Sequence, residues 1–200
     1  HLDVPRTEWR MAPEKLLLAL NAHLPETLRI LSALQTRPDF HARFDACGKQ
    51  YRYHLWNHRA LDPWVRRNAW HITRPLDLVA MKAASSALIG RHSFQSFAAN
   101  PGYERASYVR EVTRCEIRRA GSLLTVVIEA DGFLYKMCRG IVGTLVQVGL
   151  GKYQPAEILP MLEGCDRRLS GMTAPAHGLV LWRVNYPKRR RQKKHSPGVA

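Results

Sequence analysis

The order of strand-like and helix-like segments predicts an α+β fold, a largely antiparallel sheet with helices packed on one face. Three observations carry this prediction. Two alternating runs, residues 112–119 and 123–130, flank Ala120-Gly121-Ser122 and read as a hairpin with a short turn. Two segments with apolar residues three and four apart, 76–89 and 136–148, read as helices. Strand material stands between and after these helices, so each returns the chain to the sheet.

The elements follow in order. His1-Leu2-Asp3-Val4 reads as the end of a strand followed at once by Pro5, as if this sequence began inside a domain. Residues 13–24 form a helix, with Pro13 near its first position and an apolar stripe of Leu16, Leu17, Leu20 and Leu24. Pro25 stops it. Residues 28–34 read as a short apolar strand ended by Arg37-Pro38. The texture then turns aromatic and basic over residues 40–57. Within it, residues 51–56 alternate as a strand, with Tyr51, Tyr53 and Leu55 on one face. Asp62-Pro63 marks turn material.

In the helix at 76–89, Pro75 lies near the start, Asp77 suits the positive end of the dipole, and Gly90 offers a stop. Its core stripe is Met81, Ala84 and Leu88. Residues 100–107 read as a flexible loop. On the second hairpin strand, Leu124, Val126, Ile128 and Ala130 share a face. The helix at 136–148 is expected to bury Met137, Ile141, Leu145 and Val148. Residues 155–163 give a short helix distorted by Pro160, and 179–184 a last strand.

Composition narrows the function. The chain has 200 residues, 46% of them hydrophobic, which can bury a core and argues against wholesale disorder. No run approaches the roughly 18 apolar residues that a membrane helix needs. The four cysteines, at 47, 115, 138 and 165, lack the paired spacing of a zinc ribbon or redox motif. A reduced, cytoplasmic protein is the expectation. Lys and Arg number 31 against 16 acids, a formal charge of +15. The run at 188–194 holds six of those charges, which leaves +9 on the rest of the chain. A solvated tail alone would account for a basic run, but not for a basic folded body. Polyanions reward Lys and Arg through counterion release, so nucleic acid is the leading partner class. A membrane-surface role lacks a lipidation motif or a strongly amphipathic basic helix.

Three constellations carry candidate chemistry. Arg43, Lys49, Gln50, Tyr51, Arg52 and Tyr53 interleave cations with aromatics, as binding of single-stranded or flipped bases requires. An ordinary strand with tyrosines inside and arginines in solvent has the same pattern. In the run from Gly132 to Gly140, Arg139 falls in the first turn of a helix, off its buried stripe. It could hold a phosphate, orient a carboxylate, or simply face solvent. His177, within Thr173-Ala174-Pro175-Ala176-His177-Gly178-Leu179, could act as general acid or base, or satisfy a turn. Asp45 and Asp131 are the nearest acids, and Asp131 before Gly132 reads as a turn residue. No paired carboxylates, phosphate-cradling loop, HExxH or GxSxG motif occurs.

Several motifs occur in order: His41-Ala42-Arg43-Phe44-Asp45-Ala46, Lys49-Gln50-Tyr51-Arg52-Tyr53, and Gly132-Phe133-Leu134-Tyr135-Lys136-Met137-Cys138-Arg139-Gly140-Ile141-Val142-Gly143. Asp166-Arg167-Arg168, the Thr173 to Leu179 run and Val184-Asn185-Tyr186-Pro187 follow, with Asn21-Ala22-His23-Leu24-Pro25 upstream. Together they resemble the TruA family of tRNA pseudouridine synthases over about residues 1–187. The resemblance implies the pseudouridine synthase fold with RRM-like, ferredoxin-like halves. It implies isomerisation of anticodon stem-loop uridines without metal or organic cofactor, by a cytoplasmic homodimer that binds tRNA. Tyr51 matches the family tyrosine that packs against the target uracil, and Arg139 the arginine that pairs with the catalytic aspartate.

That aspartate sits in a Gly-Arg-Thr-Asp-Ala-Gly segment, which is absent from the chain. Neither Asp45 nor Asp131 is promoted in its place, so the chain reads as a family member lacking its nucleophile and inactive alone. Arg43, Lys49 and Arg52 are expected to touch RNA. One departure is Tyr108-Val109-Arg110-Glu111, in a region that often carries an Arg-Thr pair in the family. The expected organisation is a remnant of the catalytic-loop domain at 1–38, a synthase domain at 39–187 and a basic, disordered tail at 188–200. The rival is a non-catalytic RNA-binding module associated with tRNA or the ribosome. A DNA-binding regulator is weaker, since no helix-turn-helix or basic-zipper pattern occurs.

Overall fold

The computed structural model describes residues 1–4, 11–100, 102–103 and 106–187. The tail expected at 188–200 and Pro5 lie outside the described residues. The chain divides into two units, His1–Asp45 and Ala46–Ala200.

In the first unit, α1 spans Pro13–His23. Proline sits at its start because the first turn has no use for an N–H. None of its residues is fully buried. The strand expected at 28–34 does not form, and residues 1–4 also carry no strand. A strand needs a partner's backbone. Here the Asn21 side chain takes that role, accepting from Ile30 N–H at 2.8 Å and donating to Ile30 O at 2.9 Å. The Arg29 guanidinium donates to the carbonyls of Pro25 and Leu28, at 2.6 and 2.7 Å. Leu28, Leu31 and Leu34 are left exposed.

The second unit contains β1 (Gly48–Asn57), β2 (Trp70–Ile72), α2 (Leu78–Ser86), β3 (Gly90–Ser93), β4 (Val109–Ala120), β5 (Leu123–Ala130), α3 (Met137–Gly149), α4 (Ile158–Glu163) and β6 (Leu179–Asn185). The strand order is β2-β1-β5-β4-β3, with β6 on the same edge of β1 as β2. β6 pairs with residues 48–53 and β2 with residues 55–57. Only the β1–β2 pair is parallel. Read as β1-α2-β4-β5-α3-β6 with spatial order β6-β1-β5-β4, the unit has the ferredoxin-like pattern.

The three helices cover one face. Met81 and Ala84 from α2, Leu88 just past its end, and Met137, Ile141, Leu145 and Val148 from α3, meet Tyr53, Leu55, Leu124, Val126, Ile128 and Ala130 of the sheet. These are the stripes expected from the sequence. Asp77 caps α2 directly, its Oδ1 accepting from Val79 N–H at 2.9 Å and Ala80 N–H at 3.0 Å. The short β2 and β3 have no sequence signature, being three and four residues long. Residues 155–163 split into a 3-10 turn, Pro155–Glu157, and α4.

Two glycines seat α3. A Cβ on Gly140 would strike the Phe97 carbonyl, and one on Gly143 would strike the Met172 carbonyl. Glycine at these positions lets the 3-10 turn Gln95–Phe97 and the segment 172–174 lie directly on the helix backbone.

Candidate active site

The close approach at Gly143 brings the 173–179 segment against the first turn of α3. Ala174 and Arg139 are tied both ways: Arg139 Nε donates to Ala174 O at 2.6 Å, and Ala174 N–H donates to Arg139 O at 3.0 Å. Tyr53, on β1, donates its hydroxyl to Pro175 O at 2.7 Å. Arg167 holds the approach to this segment. Its guanidinium donates to Ser170 Oγ and Gly171 O, both at 2.7 Å, and to Thr173 Oγ1 at 2.9 Å.

Tyr51 shares a face of β1 with Tyr53 but is only partly buried. Phe133 meets it edge-on, with ring centroids 4.8 Å apart and planes at 82°. That contact fixes the ring orientation. Burial raises the Tyr51 hydroxyl above its ordinary pKa, reinforced by Cys138, so it remains a donor at neutral pH. Burial pushes Tyr53 further up, against the opposing pull of the Arg139 charge. These effects place Cys138 within electrostatic reach of both tyrosines, and Arg139 within reach of Tyr53. Burial also pushes the Cys115 thiol up to about 12 and the Cys138 thiol higher still, so neither is a nucleophile at neutral pH.

The half-buried Arg139 is paired with no carboxylate among the described residues. Asp45 and Asp131 are engaged elsewhere. Asp45 accepts from Arg37 at 2.6 Å and from His41 N–H at 2.9 Å, and the His41 bond leads in holding its carboxyl below the usual range. Asp131 is paired across strands rather than within a turn: its Oδ1 accepts from Glu111 N–H, and its own N–H donates to Glu111 O, both at 3.1 Å.

The other sequence candidates disperse. Arg52 lies on the face of β1 opposite Tyr51, its guanidinium 3.5 Å over the Trp182 ring and its Nε donating to Gln50 Oε1 at 3.3 Å. Lys49 precedes Gln50 on β1, opposite Ala130 of β5 and Val184 of β6. Arg43 belongs to the first unit, where it lies 5.7 Å from the Phe44 ring centroid. His177 Nε2 lies 3.1 Å from Ala69 O, a structural contact. Among the described residues no three His, Cys, Asp or Glu side chains gather as a metal site. Sequence reasoning gave no role to Phe133, Arg167 or the carbonyls of Ala174 and Pro175. It singled out the 173–179 run for its histidine, whereas the site uses that run's backbone.

Residues 84–187 match a family model described as tRNA pseudouridine synthase. A tRNA pseudouridine synthase A of Exiguobacterium sp. is 43% identical over 188 residues, 94% of this chain and 74% of the relative. That of Methylacidiphilum infernorum is 42% identical over 178 residues, 89% of this chain and 70% of the relative. That of Moorella thermoacetica is 42% identical over 180 residues, 90% of this chain and 73% of the relative. The chain belongs to the tRNA pseudouridine synthase family.

The matched region runs from within α2 to just past β6. It therefore contains Arg139, Arg167 and the 173–179 segment, and the relatives' longer matches take in Tyr51 as well. No described helix is long and apolar enough to cross a membrane.

Proposed function

We propose that this chain supplies the base-holding part of a tRNA pseudouridine synthase acting on uridines of the anticodon stem-loop, in the cytoplasm and as a homodimer. The observation that carries this reading is the partly buried Tyr51 ring set against Phe133, with Arg139 tethered to Ala174 and unpaired with any acid among the described residues. The site and tRNA assignments also draw on family membership; the dimer and the compartment rest on the resemblance alone.

The reaction is an isomerisation. The N1–C1′ bond of a flipped uridine breaks, the base turns, a C5–C1′ bond forms, and the C5 proton leaves as N1 gains one. Tyr51 stacks on the flipped base and keeps it from leaving the pocket. Arg139 pairs with the aspartate that attacks, and keeps that carboxylate ionised in a partly dry site. The Gly-Arg-Thr-Asp-Ala-Gly segment is not among the 200 residues, and Asp45 and Asp131 are occupied. The 200-residue chain therefore binds tRNA without turning it over.

Tritium release from tRNA carrying 5-[³H]-uridine, measured beside tRNA binding, tests this. The chain should bind and release no tritium. Tyr51→Ala should weaken binding by about tenfold, the scale of one lost base stack. Robust release from these 200 residues would overturn the missing-nucleophile reading. Unchanged binding by Tyr51→Ala would remove the stacking role and leave a plain RNA-binding module.

A further inference from the structure

The connection between β1 and β2, residues 58–69, takes no part in the site described above. At its tip Trp64 is 91% exposed. Arg59, Arg66 and Arg67 are exposed around it in sequence, and none has an acid partner among the described residues. The segment's one acid, Asp62, is spent on its own turn: Oδ1 accepts from Trp64 N–H at 2.9 Å, and its carbonyl accepts from Val65 N–H at 3.2 Å.

The loop is also pinned on every side. Trp56 Nε1 donates to Ala60 O at 2.9 Å, and His71 Nε2 lies 2.8 Å from His58 O. Asn68 and Ala69 N–H donate to Val65 O, both at 2.9 Å. His54 hydrogen-bonds the Asn68 backbone, and His177 reaches Ala69 O at 3.1 Å. His177 thereby links the loop to the segment that holds Arg139.

A large indole held in water by this many hydrogen bonds is not the fold's cheapest choice. Its surroundings say what it meets. Three unpaired guanidiniums suit a string of phosphates, and an exposed indole suits an unstacked base, at little ordering cost when the loop is already fixed. A membrane would call for a broad apolar face, whereas here one indole stands among cations.

We propose that the 58–69 loop is a second RNA-contact site, with Trp64 stacking on an unpaired base and Arg59, Arg66 and Arg67 holding phosphates beside it. It rests on the reading above insofar as the RNA is the tRNA engaged at Tyr51.

The test is fluorescence anisotropy of the 200-residue chain with an unmodified tRNA transcript across a salt series. Trp64→Ala should weaken binding by about tenfold, and Trp64→Phe should restore most of it. The double variant Arg66→Gln/Arg67→Gln should flatten the salt slope by about 1.5 to 2. Melting temperatures should match wild type, because the changed side chains are exposed. Wild-type affinity in Trp64→Ala, or a wild-type slope in the double variant, overturns the loop proposal while leaving the Tyr51 reading intact. Loss in Trp64→Ala with none in Tyr51→Ala keeps the loop and removes the Tyr51 reading. No binding by the wild-type chain overturns both. Equal losses with tRNA and with a base-free polyanion such as polyphosphate overturn the stacking role.

Discussion

Helices α1 and α3 carry similar apolar patterns and have opposite fates. In α1 the leucine stripe is only partly covered, with Leu20 37% exposed, and Leu18 beside it is 70% exposed. In α3 the stripe is sunk into the sheet, and Leu145 is 0% exposed. The difference lies in what each helix is offered. The second unit presents α3 with a six-stranded sheet, whereas the described part of the first unit gives α1 no sheet at all. An apolar stripe stabilises only by the area that a partner removes from water, about 25 cal/mol per Å².

Three substitutions sharpen or break that comparison. The largest effect belongs to Gly143→Ala in α3. The new methyl would strike the Met172 carbonyl, backbone that cannot turn aside. A loss of about 3 kcal/mol or more is expected, with weakened tRNA binding because the 172–174 segment also tethers Arg139. Thermal melting together with tRNA anisotropy checks this. An unchanged melt would mean that α3 and its covering segment are looser than described.

Next comes a matched pair. Leu145→Ala should cost about 2–5 kcal/mol, the range for a buried leucine. Leu18→Ala should stay within about 0.5 kcal/mol, as for surface changes. Urea unfolding of both variants reads the difference directly. Equal losses would show that α1 is packed as firmly as α3.

The smallest effect is one of pH. Burial lowers the His54 pKa, with the Arg52 charge adding and the Asn68 backbone hydrogen bond opposing. The unfolded chain then binds a proton more readily than the folded one, so stability rises with pH through this window. His54 contributes nothing against folding above the ordinary histidine value, about 6.5. Its penalty grows as pH falls below that value and levels off below the lowered folded pKa. Melts at pH 7.5, 6.5 and 5.5 should decline, and His54→Gln should decline less. Parallel declines would remove His54 as the cause.

Much of the second unit was legible before any coordinates. Residues 123–130, 136–148 and the Met81–Ala84–Leu88 stripe follow from periodicity, because their large apolar side chains recur at strand or helix spacing toward one shared core. The strand expected at 28–34 failed, since an apolar run specifies no partner and Asn21 satisfies the Ile30 backbone instead. Of the proposed site, Tyr51 and Arg139 came from ordered motifs. Phe133, Arg167 and the Ala174 and Pro175 carbonyls were not, because backbone acceptors and packing partners leave no signature in residue type.

The sequence alone determined the α+β class, the buried stripes, the basic charge and the family motifs, since these depend on residue type and local spacing. Only the tertiary structure decided which of the interleaved cations and aromatics lie on one face. Strand alternation put Arg52 and Tyr51 on opposite faces of β1. Glycine at 143 let a distant segment lie on α3 and tether Arg139. The 58–69 loop takes hydrogen bonds from His54, His71 and His177, each supplied by a different part of the chain. Contacts of that kind follow from the topology of the sheet, which no local pattern encodes.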